Sequence, residues 1–334
     1  MMKLLTNRRM FLKGTAAAGI VAASGVPAFA RDGALRWGSS SLGSSGYVIL
    51  EAMANVTNKH TNLHNAVQAT AGTTENFALL GSGELDIAHT TSIDWVAAFR
   101  GDKPYPGKIE ANQLLSYVKW LCPPLVHKDS DIQTIADLKG RKYSASKPGS
   151  GAAALSRILL ESAGLGSDGR DVDWVYGGWK EVYNNFQLGQ VDCIFGIFTN
   201  GAPIGLITQV NTAVPLRALE YSQDVLDAAI AKNPGILVAD LTPEDWSALE
   251  KPVRSPVFTG ILGAATSVSA EDGYEIVKSV LDNVEEVKSF GKPLAGVGLE
   301  AAVNNLLVAY PVNAGAAQYY KEKGVWRDEL KIAS

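Results

Sequence analysis

Two short stretches carry most of the chemistry that this sequence offers. One runs Gly38-Ser-Ser-Ser-Leu-Gly-Ser-Ser-Gly46, the other Pro148-Gly149-Ser150-Gly151. Each follows a short apolar run and precedes a helix-like pattern of apolar spacing. At a helix N-terminus the first backbone N–H groups are unpaired and the dipole favours negative charge, so both loops are candidates for holding an anion. The hydroxyls of Ser40, Ser41, Ser44 and Ser45 can add donors to the first loop, and Ser150 to the second. Aromatic residues fall near the same loops: Tyr47, Trp95, Tyr176, Trp179, Tyr183 and Phe198. At a cleft they would pack the apolar or planar part of a ligand, although core packing is the commoner role for any one of them.

Other chemistries fit less well. A nucleotide loop of the Walker type needs Gly-Lys-Ser/Thr, and neither loop is followed by one. Glycines at 38, 43 and 46 do not have the Gly-x-Gly-x-x-Gly spacing of a dinucleotide fold. His60 and His64 stand four apart, but no Glu lies between them, and His89 and His127 are isolated, so no metal site is expected. There is no Gly-x-Ser-x-Gly elbow, and neither Cys122 nor Cys193 lies in a basic setting suited to thiolate formation. The two cysteines could pair in an oxidising compartment; two buried small hydrophobes is the favoured reading. No cofactor and no catalytic residue are expected.

The elements that must position these loops occur twice. After the first loop, Ile49, Met53 and Val56 share a helix face. Asn65 to Thr70 is strand-like, and Thr73 or Thr74 can cap a short helix carrying Phe77 and Leu80, so Thr73 joins the candidate ligand contacts. Gly81 and Gly83 end that helix, and Glu84-Leu-Asp-Ile-Ala-His-Thr90 starts a buried strand. The second half repeats the plan: a strand, the Pro-Gly-Ser-Gly turn, a helix with Leu155, Ile158 and Leu159 inward, then a helix, a Gly and an acid-bearing strand. Gly83-Glu-Leu-Asp86 answers to Gly189-Gln-Val-Asp192, and Gly46 to Gly83 spans 37 residues against 38 from Gly151 to Gly189. Repeated strand, Gly-rich turn and helix units imply parallel α/β sheets, with ligands at the carboxyl ends of the strands. A chain of 334 residues exceeds what one compact core usually holds, so two lobes facing a cleft are expected.

The N-terminus reads as an export signal. Lys3, Arg8, Arg9 and Lys13 lead into a weakly apolar run, and Ala28-Phe-Ala30 offers small residues for cleavage after Ala30. Arg8-Arg9-Met-Phe-Leu-Lys13 resembles a twin-arginine signal; an ordinary secretory signal would also export the protein. Residues 1–30 carry those four basic side chains and no acidic ones. The remainder has 26 Lys+Arg against 34 Asp+Glu, a formal −8, which argues against nucleic acid or an anionic membrane as partner.

The residues in order resemble the TAXI subfamily of solute receptors for tripartite ATP-independent periplasmic (TRAP) transporters. The resemblance covers about residues 35 to 326. It rests on Gly38–Tyr47, on "GTTENFALLGSGELDIA", on "IADLKGRKYSASKPGSGA", on "LGQVDCIF" with "TNGAP", and on "NAGAAQYYKEKGVW". It implies a two-lobed type II periplasmic binding protein fold, each lobe a mainly parallel sheet flanked by helices. The first lobe would be residues 31–125 plus 262–334 and the second 126–261, with hinge strands near 122–128 and 257–264. Carried over by position, Ser40, Ser41, Leu42, Ser45 and Tyr47 would line the first-lobe side with Asn76, His89, Thr90 and Thr91. Gly149, Ser150, Gly151, Thr199 and Asn200 would supply the second lobe, beside the aromatic Trp179 and Phe198. The implied function is periplasmic capture of a small organic acid or amino acid and delivery to an ion-driven permease. The alternatives are a receptor of an ABC importer or of a sensor kinase, or an exported enzyme.

Overall fold

The computed structural model describes residues 33–334 apart from Gly43, and residues 34–334 form one compact unit. The export signal expected at residues 1–30 lies outside the described residues. Among the described residues no helix is long and apolar enough to cross a membrane.

The strands are β1 (Leu35–Gly38), β2 (Asn65–Gln68), β3 (Ile87–Thr91), β4 (Ala111–Leu121) and β5 (Pro124–His127). They continue with β6 (Lys142–Ser144), β7 (Asp173–Trp174), β8 (Cys193–Phe195) and β9 (Phe198–Thr199). The last are β10 (Ala202–Pro203), β11 (Leu216–Ala218), β12 (Leu237–Leu241), β13 (Val253–Ala265), β14 (Pro311–Val312) and β15 (Lys331–Ile332). Helices that bear on the site are α1 (Ser45–His60), α2 (Thr73–Ser82), α3 (Ser92–Arg100), α4 (Gly151–Ser162), α5 (Trp179–Gln187) and α6 (Gly205–Ala213).

Two sheets result. The larger runs β2-β1-β3-β13-β4-β9-β10, with β12 on β13, β14 on β4 and β15 on β14; the smaller runs β7-β6-β8-β5-β11. Both are mixed rather than mainly parallel. β1 pairs in parallel with β2 and β3, and β6 with β7 and β8, as the strand–turn–helix units require. The long strand β13, however, enters antiparallel between β3 and β4, and β5 runs antiparallel to β8.

The repeated units do the same work in each sheet. The Asp86 carboxylate accepts the Arg36 backbone N–H at 2.9 Å, while the Asp86 N–H donates to the Arg36 carbonyl. Asp192 does likewise with Lys142, its carboxylate accepting the N–H at 2.8 Å. Each acid therefore closes the start of a parallel pair, and this explains why Gly-x-x-Asp recurs. Gly83 and Gly189 precede them in the left-handed conformation, with φ of 74° and 69°, a region that favours glycine.

Helices cover the sheets as their spacing predicts. Ile49, Met53 and Val56 of α1 are fully buried, as are Leu155 and Leu159 of α4. Two of the chain's passages between the sheets, at Cys122-Pro123 and Gly196-Ile197, lie side by side, the Gly196 N–H donating to the Pro123 carbonyl at 2.9 Å. A Cβ on Gly196 would stand 2.4 Å from that carbonyl, so only glycine fits. Cys122 and Cys193 are free and buried.

Candidate functional site

A cleft of about 480 Å³, counting its solvent-filled mouth, opens at the carboxyl ends of the parallel strands and is lined from both sheets. Three helices begin at it. Ser44 caps α1 by accepting the Tyr47 N–H at 3.1 Å, and Ser150 caps α4 by accepting the Ala153 N–H at 3.2 Å. The short loop after β2 brings Gly72 and Thr73, the start of α2, to the same space. The N–H groups of Ser45, Gly46, Gly151 and Ala152 have no partner among the described residues. They are the orphan donors that every helix start leaves.

Glycines let these starts approach. A Cβ on Gly151 would stand 2.5 Å from Thr73 Oγ1, and one on Gly46 would stand 2.8 Å from His89 Nε2. Gly72, at φ 140°, packs against the Ser150 backbone, and the Glu75 N–H donates to the Gly149 carbonyl at 3.3 Å. The second loop thus meets the start of α2, and both loops singled out in the sequence line the one cleft.

The polar lining is buried and uncharged. Ser40, Thr73, His89, Thr91 and Ser150 are each 9% exposed or less, and no Asp, Glu, Lys or Arg lines the cleft. His89 Nδ1 is hydrogen-bonded to the Tyr117 hydroxyl. Burial lowers the His89 pKa to about 3, so the ring is neutral at ordinary pH. Thr91 donates to Asp94, whose other oxygen accepts from Thr74 at 2.8 Å. Burial raises the Asp94 pKa against these hydrogen bonds, which lower it. Asp94 lies behind the lining, only 2% exposed.

The apolar lining is aromatic. Trp120, Phe258, Phe195 and Trp179 form a continuous wall, with successive ring centroids 5.3, 6.4 and 6.3 Å apart. The Trp120 ring also meets the His89 ring edge-on at 5.7 Å. Beyond Trp179 and Ile197 lies an outer chamber of about 1090 Å³, counting its mouth, bounded by Val48, Pro203, Ile204, Leu206 and Lys292.

Of the residues singled out in the sequence, Ser40, Ser44, Ser45, Thr73 and His89 line the cleft from the larger sheet's side, with Thr91. Ser150, Gly151 and Trp179 line it from the smaller sheet's side, and Thr199 lines the outer chamber. The others lie elsewhere. Leu42 is 73% exposed at the loop tip, and Ser41 is half-buried outside the lining. The Tyr47 hydroxyl turns back along α1 to donate to Glu51 at 2.7 Å. Asn76 donates to the carbonyls of Gly38, Ser39 and His89, and so ties the ends of β1 and β3 together. Thr90 points to the other face of its strand, donating to the Ile261 carbonyl and accepting from Trp95. Gly149 contacts Ala71 and Glu75 rather than the cleft. Phe198 packs on Trp246 in the core, and Asn200 accepts the Lys119 N–H in a turn at φ 49°.

Most of the expected aromatic rim is also structural. Trp95 is fully buried, Tyr183 donates to the Phe195 carbonyl, and Tyr176 stacks on Trp174. The wall is built instead from Trp120, Phe195 and Phe258. These lie in strands buried on both faces, where no alternation tells which side a residue takes. His60 meets Glu286 at 2.8 Å and His127 stacks on Phe186; among the described residues no three His, Cys, Asp or Glu side chains cluster as a metal would need.

Solved structures similar to this chain include the following. The aliphatic sulphonate binding protein of Escherichia coli is similar at 18% identity, covering 90% of each chain with a TM-score of 0.43. The binding protein of an ABC phosphonate transporter from Pseudomonas aeruginosa is similar at 12% identity, covering 77% of each chain with a TM-score of 0.49. A putative L-cystine ABC transporter protein from Listeria monocytogenes is similar at 11% identity over 79% of this chain and 96% of its own, with a TM-score of 0.48. Residues 38–324, which span both sheets and every residue of the cleft, match the model of one family, and the chain belongs to that NMT1-like family.

Proposed function

We propose that the protein is an exported solute-binding receptor that captures a small organic acid in the cleft and presents it to a membrane importer. The observation that carries this reading is the convergence of three helix starts, from both sheets, on one buried and uncharged space. Each supplies N–H donors, and together with the serine hydroxyls they form a site for a carboxylate that needs no cationic side chain. The two sheets act as two lobes joined by the passages at 122–123 and 196–197. The ligand bridges them, and the contact of Gly72 with Ser150 and of Glu75 with Gly149 belongs to the closed form. Closure excludes water and strengthens each charge-assisted hydrogen bond.

Membership in the NMT1-like family supports a binding role. The narrower TAXI assignment, and delivery to an ion-driven TRAP permease, rest on sequence resemblance alone. Similar structures include proteins described as parts of ABC transporters, and an ABC importer is the class adopted here. An enzyme is disfavoured by His89, which its pKa of about 3 makes a weak base near neutral pH, and by the Cys122 thiol, whose pKa burial pushes well up.

Ser150→Asp tests the placement. Asp can cap the helix and its charge favours the helix N-terminus, but it loses the Ser150 hydroxyl's donation to the Lys147 carbonyl at 2.7 Å, so the thermal midpoint should fall while the fold persists. The same charge stands where the ligand's carboxylate would sit, so acid binding by titration calorimetry should fall at least a hundredfold. Undiminished affinity would remove the carboxylate from this position.

A further inference from the structure

Resting on the acid-receptor reading, we propose that the cleft selects a monocarboxylate with an aromatic body and discriminates against zwitterionic amino acids and dicarboxylates, using the His89 Nε2–H as its neutral donor.

The donor follows from one buried hydrogen bond. Tyr117 is 1% exposed, and among the described residues the one hydrogen-bond partner of its hydroxyl is His89 Nδ1. A buried phenol O–H must donate, and on a neutral imidazole only the unprotonated nitrogen can accept. Nδ1 is therefore the acceptor, and the proton resides on Nε2. That nitrogen has no partner among the described residues and lies beside the Gly46 backbone at the start of α1. Its N–H completes the donor set of the helix starts without bringing a charge.

The lining then decides what else the ligand carries. An α-ammonium group buried here would find no carboxylate: Asp94 lies behind the wall with its oxygens taken by Thr74 and Thr91. Neutral hydroxyl oxygens such as those of Thr73 and Thr91 do not offset the desolvation of an ammonium ion. The helix starts converge on one space, so a second carboxylate would be held beside the first with no Arg or Lys in the inner cleft to offset their repulsion. What remains on offer is the flat wall of Trp120, Phe258, Phe195 and Trp179, which suits a ring in edge or offset contact. The outer chamber, continuous with the cleft at Ser44, Ser45, Trp179 and Ile197, admits a chain longer than a single ring.

The test is calorimetric titration of purified protein, stripped of bound solute by unfolding and refolding. The probes are phenylacetate and 4-phenylbutyrate against phenylalanine, glutamate and succinate. The aromatic monocarboxylates should bind at least tenfold tighter than phenylalanine, glutamate or succinate. His89→Phe should lose at least tenfold in affinity, and His89→Gln, whose amide can donate, should lose less. In wild type the ¹⁵N NMR signals of His89 should be those of the Nε2–H tautomer, and Tyr117→Phe should give a mixture. Tighter binding of glutamate, succinate or phenylalanine would overturn the selection while leaving an acid receptor. Failure of every acid to bind, with the refolded protein intact, would overturn the receptor reading as well. An Nδ1–H tautomer in wild type would remove His89 as the donor.

Discussion

His89 illustrates how one buried side chain sets both the polarity of the cleft and its response to pH. Its pKa falls from 6.5 to about 3 because burial penalises the imidazolium. Between these values the unfolded chain holds a proton that the folded protein refuses. The contribution to stability is therefore fully present above pH 6.5 and is lost as pH falls toward 3. At pH 5 the loss amounts to about 2 kcal/mol relative to pH 7. Asp94 works in the opposite sense, since its raised pKa makes its ionised form costly at neutral pH. The difference between wild type and His89→Gln isolates the histidine. Urea unfolding at pH 7 and pH 5 should show that wild type loses about 2 kcal/mol more than the variant. Equal losses in both proteins would show that His89 accepts a proton in the fold.

Among the elements, the two strand–turn–helix units are alike in plan and unequal in strength. Asp86 is bound by the Arg36 N–H and by the guanidinium at 2.9 and 3.0 Å, with its side chain 10% exposed. Asp192 has the Lys142 N–H alone. Removing Asp86 leaves Arg36 half-buried without its counter-ion, so Asp86→Ala should cost about 2–3 kcal/mol, as for hydrogen bonds to charged groups. Asp192→Ala should cost about 1 kcal/mol. Denaturant midpoints read this ordering directly, and equal costs would mean that the guanidinium adds nothing. The helix starts obey a similar logic: the Ser44 and Ser150 caps satisfy the third helical N–H and leave the first two for a ligand.

For the molecule as a whole, the proposal makes ligand binding and closure one event. A ligand that bridges α1, α2 and α4 stabilises only the form in which those starts meet, and this preference is all that it can contribute to closure. At about a hundred times its dissociation constant it should add roughly 2.7 kcal/mol to stability, raising the thermal midpoint by several degrees. The radius of gyration from small-angle X-ray scattering should fall on the same addition. A midpoint rise with no change in radius would mean that the two sheets do not move relative to one another.

The local elements were legible because their signals are local. The Gly/Ser turns, the helix faces of Ile49 and Leu155, and the paired Gly-x-x-Asp echoes need only neighbouring residues to be read, and the structure has them as helix starts and parallel strand pairs. The serines of the two loops reach the cleft for the same reason: a cap belongs to its helix. What the sequence could not decide was the side taken by residues in strands buried on both faces. Trp120 and Phe258 face the ligand space while Phe198 fills the core, although all three are aromatic and buried. The register of β4 on β13 sets Trp120 directly opposite Phe258, which puts both rings on one face. The antiparallel entry of β13 likewise turned expected parallel sheets into mixed ones. Composition and spacing determined which pieces form, because each is stabilised within its own stretch of chain. Only tertiary pairing, between residues more than a hundred positions apart, decided which side chains share the cleft.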